Sequence, residues 1–181
     1  LETVKLFARR LWADDEPLVR HERWMLDHLR SKPADARYVD FRLGAWIGAH
    51  WDDWRAIEDR LVRDARWRDL GELFALSQVT FHTAFGGARA LPVGLRVERY
   101  LAAMPAGLDE VTATFAISLA NAGLPARRPD WIQRGARLAQ EHLSDRSPTD
   151  LAYALVLASW PLALRDTDEA VVMVERAFEL A

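Results

Sequence analysis

The residues best suited to chemistry in this sequence are its five histidines and the acids beside them. His21-Glu22 opens like a zinc-protease helix, but Met25 stands where the second histidine is required. His28 lies two helical turns from His21, too far to share an ion with it. His50, with Asp52 and Asp53, has the make-up of a carboxylate-supported ligand set; helix capping is the simpler account of the acids. His82, beside Thr80 and Thr83, is a lone histidine on a predicted helix, better read as a satisfied buried or groove residue than as a general base. Gly86, Gly87 and Gly94 do not fit a phosphate-binding loop or a dinucleotide fingerprint, and there is no nucleophile elbow. The chain has no cysteine, which excludes disulfides and thiolate metal sites. Paired carboxylates are plentiful but gather at helix starts, where the helix dipole favours them. The sequence therefore predicts no catalytic residue, no metal ligand and no cofactor.

Binding chemistry is better represented. Arg60, Arg63, Arg66 and Arg68 with Trp67 form a basic-aromatic stretch able to meet phosphates or stack on bases. Asp59, Asp64 and Asp69 interleave with it, which favours a charge-paired, solvated face. The formal charge of −3 also argues against a dedicated nucleic-acid binder. Eight tryptophans in 181 residues are many, and most are expected in the core, with some left for a binding groove.

These side chains must be positioned by helices. The segment from Thr167 to Ala181 is amphipathic, with Val171, Val174 and Phe178 around Glu175 on one predicted face. Weaker versions recur upstream: Ile132, Gly135 and Ala139 around Ala136; Gly94, Val97 and Leu101 around Glu98; Trp54, Ile57 and Leu61 around Glu58; Leu18, His21 and Met25 around Glu22. The anchors at 22, 58, 98, 136 and 175 give steps of 36, 40, 38 and 39 residues. A period of this size marks a helical repeat.

Punctuation divides the chain into ten helices in five pairs. The expected spans are Leu1 to Trp12, Pro17 to about Arg30, Asp35 to about Ala49, a helix after the HWDDW connection to about Arg63, and a long helix from Arg66 to Phe85. Gly86-Gly87 should end the last of these. Pro92 should open the next helix, to Met104. Asp109 to Ala122 follows, then Trp131 to Leu143 capped by Asp130, a helix from Thr149 or Asp150 that Pro161 should bend or end, and a tenth capped by Thr167. Gly44 and Gly48, one turn apart, suit close approach of a neighbouring helix. No strand pattern competes.

The last unit resembles a tetratricopeptide repeat. Leu157 and Ala158 match small packing positions of that repeat's first helix, and Ala170 and Ala177 those of its second. Ala154 and Pro161 depart from the family's Trp and Tyr, and the upstream steps exceed its period of about 34 residues. The motif-level match covers residues 151–181. The resemblance implies an all-α, right-handed α-solenoid of about five helix-turn-helix repeats spanning residues 1–181 as one domain. It extends, more broadly, to degenerate solenoids of bacterial transcription regulators, and HEAT-type repeats share the period.

In such stacks the first helix of each pair lines a concave groove. Here that implies Tyr38, Arg42 and Trp46, then Gln78 and His82, then Thr114, Ser118 and Asn121, then Tyr153 as groove residues. The expected function is a non-enzymatic interaction scaffold. It would bind a peptide, a partner protein or another domain of its own chain. The alternatives are an effector-sensing segment of a bacterial transcription regulator, with a pocket near Trp46 and His82, and a HEAT-like nucleic-acid binder. No run is long enough to span a membrane, no signal peptide is expected, and the expected location is cytoplasmic. Leu1 and Leu180-Ala181 read as cuts from a longer protein. The apolar end at Phe178 and Leu180 predicts either a further repeat or a homodimer contact.

Overall fold

The computed structural model describes residues 16–33, 40–78, 86–143, 148–163 and 167–180. Among these residues the chain is all-α, with nine helices and no strand. No helix among them is long and apolar enough to cross a membrane. The chain divides into two compact units, Leu1–Pro33 and Ala34–Ala181. The expected first helix and the sites at Tyr38 and His82 lie outside the described residues.

The first unit contains α1, Glu16–Arg30. Its stripe of Glu22, Met25, Leu26 and Leu29 is buried at helical spacing. Trp24 is exposed and stacks between His21 and His28, with ring centroids 5.4 and 6.3 Å away.

The second unit holds eight described helices: α2 (Phe41–Ala49), α3 (Trp51–Arg63), α4 (Trp67–Ala75), α5 (Gly86–Ala103), α6 (Asp109–Gly123), α7 (Pro129–Leu143), α8 (Pro148–Ala163) and α9 (Thr167–Leu180). Several boundaries differ from expectation. The Asp40 side chain accepts from the amides of Arg42 and Leu43, so α2 starts at Phe41 and not at Asp35. His50 alone joins α2 to α3, and Asp52 and Asp53 fall inside the first turn of α3. The expected long helix breaks after Ala75, where the Ser77 hydroxyl turns inward to accept from Trp54 Nε1 at 3.0 Å. Gly86-Gly87 begin α5 instead of ending its predecessor, and Pro92 lies inside that helix. Similarly, α8 runs past Pro161 to Ala163.

Packing follows chain order. Each of α5 to α8 packs on the next, as do α2 on α3 and α3 on α4. Two further contacts skip a helix: α4 on α6, and α6 on α8. Helix α6 is therefore enclosed on several sides. That explains its run of small residues, with Ala113, Ala116, Ala120 and Ala122 all buried. The core between α3 and α6 is aromatic. Phe74 meets Trp54, Phe115 and Tyr100 edge-on, at 5.1, 5.3 and 6.1 Å between centroids. A second cluster joins Ala113, Ala116 and Ile117 to Ala139, Leu143, Leu151, Leu155 and Ala177.

Alternate helices are also tied by charge. Glu58 of α3 is fully buried; its Oε1 accepts from Arg96 Nε at 3.0 Å and from the Tyr100 hydroxyl at 2.8 Å, both on α5. Arg55 supplies a second guanidinium from the preceding turn. One helix further on, Glu98 of α5 accepts from Arg134 Nη1 of α7 at 3.1 Å. Each arginine stands two residues before its own helix's anchor position, Arg96 before Glu98 and Arg134 before Ala136. Where the anchor is Ala136, the residue two before the following anchor, Glu175, is Met173. Met173 packs into the apolar cluster that holds Ala139 and Leu143. The acid and its basic partner are replaced together.

Candidate functional site

Of the nine groove residues expected from the sequence, four form one buried hydrogen-bonded chain. Tyr153 donates its hydroxyl to Asn121 Oδ1 at 2.9 Å, and Asn121 Nδ2 donates to Gln78 Oε1 at 2.9 Å. Gln78 Nε2 donates to the Ser118 hydroxyl at 2.9 Å, and Ser118 in turn donates to the Thr114 carbonyl at 2.8 Å. Gln78, Ser118 and Asn121 are almost wholly removed from solvent, and Tyr153 is half-buried. Burial pushes the Tyr153 hydroxyl well above the ordinary tyrosine range, against the opposing hydrogen bond to Asn121. The chain links the start of the segment after α4 to α6 and α8. Its polar atoms are spent on one another, so it holds the neighbouring helices in register.

Among the described residues, Arg42 and Trp46 stand apart from this chain, and Thr114 joins it only through its backbone carbonyl. Arg42 is exposed on α2. Trp46 is half-buried and stacks on His50 at 4.3 Å between centroids, while His50 Nδ1 lies 2.9 Å from the Trp46 carbonyl. Thr114 lines an open cleft between α4 and α6.

That cleft has a volume of about 440 Å³. Its α4 wall is Arg68, Gly71, Glu72 and Ala75; its α6 wall is Asp109, Glu110, Val111 and Thr114, with Gly107 and Leu108 closing one end. Gly71 sets the floor. A Cβ at Gly71 would stand 3.0 Å from a Val111 methyl, so the missing side chain lets the two helices approach. Gly107 makes the closing turn at φ +85°, a conformation open to glycine. Asp109 is oriented by His142 of α7, whose Nδ1 lies 3.0 Å from Asp109 Oδ1. The cleft thus has an apolar floor, a mixed-charge rim and a Thr114 whose own hydroxyl donates to the Glu110 carbonyl at 2.9 Å.

Of these lining residues only Thr114, as a groove residue, and Arg68, as part of the basic-aromatic stretch, were binding candidates from the sequence. Gly71 beside Leu70 and Leu73 was the available signal for a close approach; Gly44 and Gly48 drew attention instead. The basic-aromatic stretch is charge-paired, with Arg66 Nε 2.7 Å from Asp69, Arg63 Nε 3.3 Å from Asp64, and Arg60 3.6 Å from the other oxygen of Asp64. Among the described residues no group of three histidine, aspartate or glutamate side chains is placed to hold a metal ion.

Compared with models of protein families, with curated proteins and with solved structures, the chain shows no match.

Proposed function

We propose that this chain is a non-enzymatic interaction scaffold, a tetratricopeptide-like right-handed solenoid of helical pairs that holds a partner segment along its first helices. The observation that carries this reading is the skipped packing of α4 on α6 and α6 on α8. In a stack of pairs, the first helices lie side by side and generate one continuous face. The cleft between α4 and α6 lies on that face and is open to solvent, as a seat for an extended peptide requires. The buried chain from Gln78 to Tyr153 supports the reading by fixing the spacing of the same helices.

The test is a filled cleft. Peptides selected from a random display library on the wild-type chain should lose most of their affinity for Thr114→Trp, while the variant keeps its helical content. Undiminished binding of every selected peptide by that variant would sink the assignment.

A further inference from the structure

The helix faces that carry the anchor residues are covered in the interior of the second unit. Trp54, Glu58 and Leu61 of α3 are buried, as are Ile132, Ala136 and Ala139 of α7. Gly94 of α5 lies buried beneath Trp131, and Glu98 of the same face is engaged by Arg134. Helix α9 repeats the pattern with Val171, Glu175 and Phe178. It turns Ala170 and Ala177 inward, so this face points to solvent: Val171 is 47% exposed, Phe178 78%, and the adjacent Val172 62%. Glu175 is exposed at its centre.

The interior ladder states what chemistry such a face accepts. Glu58 is met by an arginine and, four residues later, by a tyrosine on one helix. Glu98 is met by an arginine in the equivalent position. We propose that the Val171–Glu175–Phe178 face of α9 is a docking site for a partner helix that presents an arginine to Glu175 and apolar residues to Val171 and Phe178. Charge complementarity selects this occupant over a second copy of the same face. An antiparallel pair of α9 helices crossing near their centres would bring two Glu175 carboxylates together, and like charges in a closed contact oppose association. The site is separate from the α4–α6 cleft and stands or falls without it.

A synthetic helical peptide with arginine and tyrosine four residues apart, set between leucines at helical spacing, is the probe. Fluorescence anisotropy should show it binding the full chain, with affinity reduced roughly tenfold or more by Glu175→Arg. Replacing the peptide's arginine by glutamate should restore binding to that variant and weaken binding to the wild type. Phe178→Glu should abolish binding of either peptide. Both side chains are exposed, so the melting temperatures of the two variants should match the wild type. Absence of binding to the wild type, or equal affinity for the wild type and Glu175→Arg, overturns the proposal. Sedimentation of the chain alone should give a monomer. A dimer abolished by Phe178→Glu would assign the face to a second copy and overturn it as well.

Discussion

Gly94 of α5 lies against the indole of Trp131 in α7 so closely that a methyl group there would stand 2.0 Å from Cζ3. Trp131 is wholly buried, with the Arg128 guanidinium 4.4 Å from its ring centroid. Gly135, one turn along from Trp131, makes a second close approach, with a Cβ position 2.3 Å from the Ala116 carbonyl oxygen of α6. These two glycines set how near α7 comes to α5 and α6.

Alanine at either position should therefore destabilise the fold, although alanine is the better helix former. Overpacking costs about 1–3 kcal/mol, against a helix-propensity gain of about 1 kcal/mol. Gly135→Ala should be the worse of the two, because its obstacle is backbone, whereas Trp131 can shift slightly. Urea denaturation of the two variants would check both sign and order. A stabilised Gly135→Ala would show that α6 and α7 do not meet as described.

The same contacts show how far the sequence could be read. Repeated apolar triplets located α3, α5 and α7 with the correct faces: Trp54, Ile57 and Leu61, then Gly94 and Val97, then Ile132, Gly135 and Ala139 are buried. They misplaced the face of α9, where Ala170 and Ala177 turn inward and Val171 and Phe178 outward. Hydropathy ranks valine and phenylalanine above alanine, but a close helix approach selects for size. Tryptophan misled in the same way. Among the described side chains only Trp54 and Trp131 are fully buried, while Trp24 is exposed and Trp46, Trp51 and Trp67 are half-buried. Gln78, Ser118 and Asn121 were expected to line an open groove and are instead buried. Their mutual satisfaction was not legible, because it depends on Gln78 reaching residues 40 and 43 positions away.

That hydrogen-bonded chain makes Asn121 a sensitive position, since it is buried and bonded on both sides. Tyr153→Phe removes one donor and leaves Asn121 Oδ1 buried without it, at a cost of about 1–2 kcal/mol. Asn121→Ala strands Gln78 Oε1 and the Tyr153 hydroxyl together and should cost about 3 kcal/mol. Combining Tyr153→Phe with Asn121→Ala should cost little more than Asn121→Ala alone, since the lost bond is shared. A double-mutant cycle in urea measures this coupling; strict additivity would mean that Tyr153 and Asn121 do not interact.

Glu58 gives the fold a dependence on pH. Burial raises its carboxyl above the ordinary value of 4.5, opposed by Arg96, Arg55 and the Tyr100 hydroxyl. A raised value in the folded state means that the native protein binds the proton more tightly than the unfolded chain. Stability from this site is fully present below about pH 4.5 and is lost as pH rises through the folded value. The stability of the wild type minus that of Glu58→Gln should therefore fall between pH 4 and neutrality. Tyr100 is raised as well, first by burial and then by the Glu58 charge, so a further loss should begin above pH 10 and be absent in Tyr100→Phe. Guanidinium melts across this range decide the matter. A difference that rises with pH would mean that the guanidiniums, not burial, dominate at Glu58.

Two helices end on left-handed residues that are not glycine. After α3, Arg66 donates its amide to the Leu61 carbonyl at 2.9 Å and Ala65 to Val62 at 3.1 Å, with Ala65 at φ +52°. After α6, Arg128 donates to Gly123 at 2.8 Å and Arg127 to Leu124 at 3.1 Å, with Arg127 at φ +55°. Both are Schellman closures, in which glycine normally takes the left-handed position because a Cβ there crowds the following carbonyl. Without glycine the closures themselves were not legible in the sequence, although the expected helix ends near Arg63 and Ala122 agree with the structure. Ala65 and Arg127 are both exposed, so replacing them should change little besides the backbone. Ala65→Gly and Arg127→Gly should each stabilise the protein by about 0.5–1 kcal/mol, the relieved strain exceeding the added flexibility of the unfolded chain. Gly107→Ala is the matched control: its space is open, but φ is +85°, so it should destabilise through strain alone. Thermal melts of the three variants read the signs directly. Destabilisation by both glycine substitutions would show that other contacts, not turn geometry, set the stability of these helix ends.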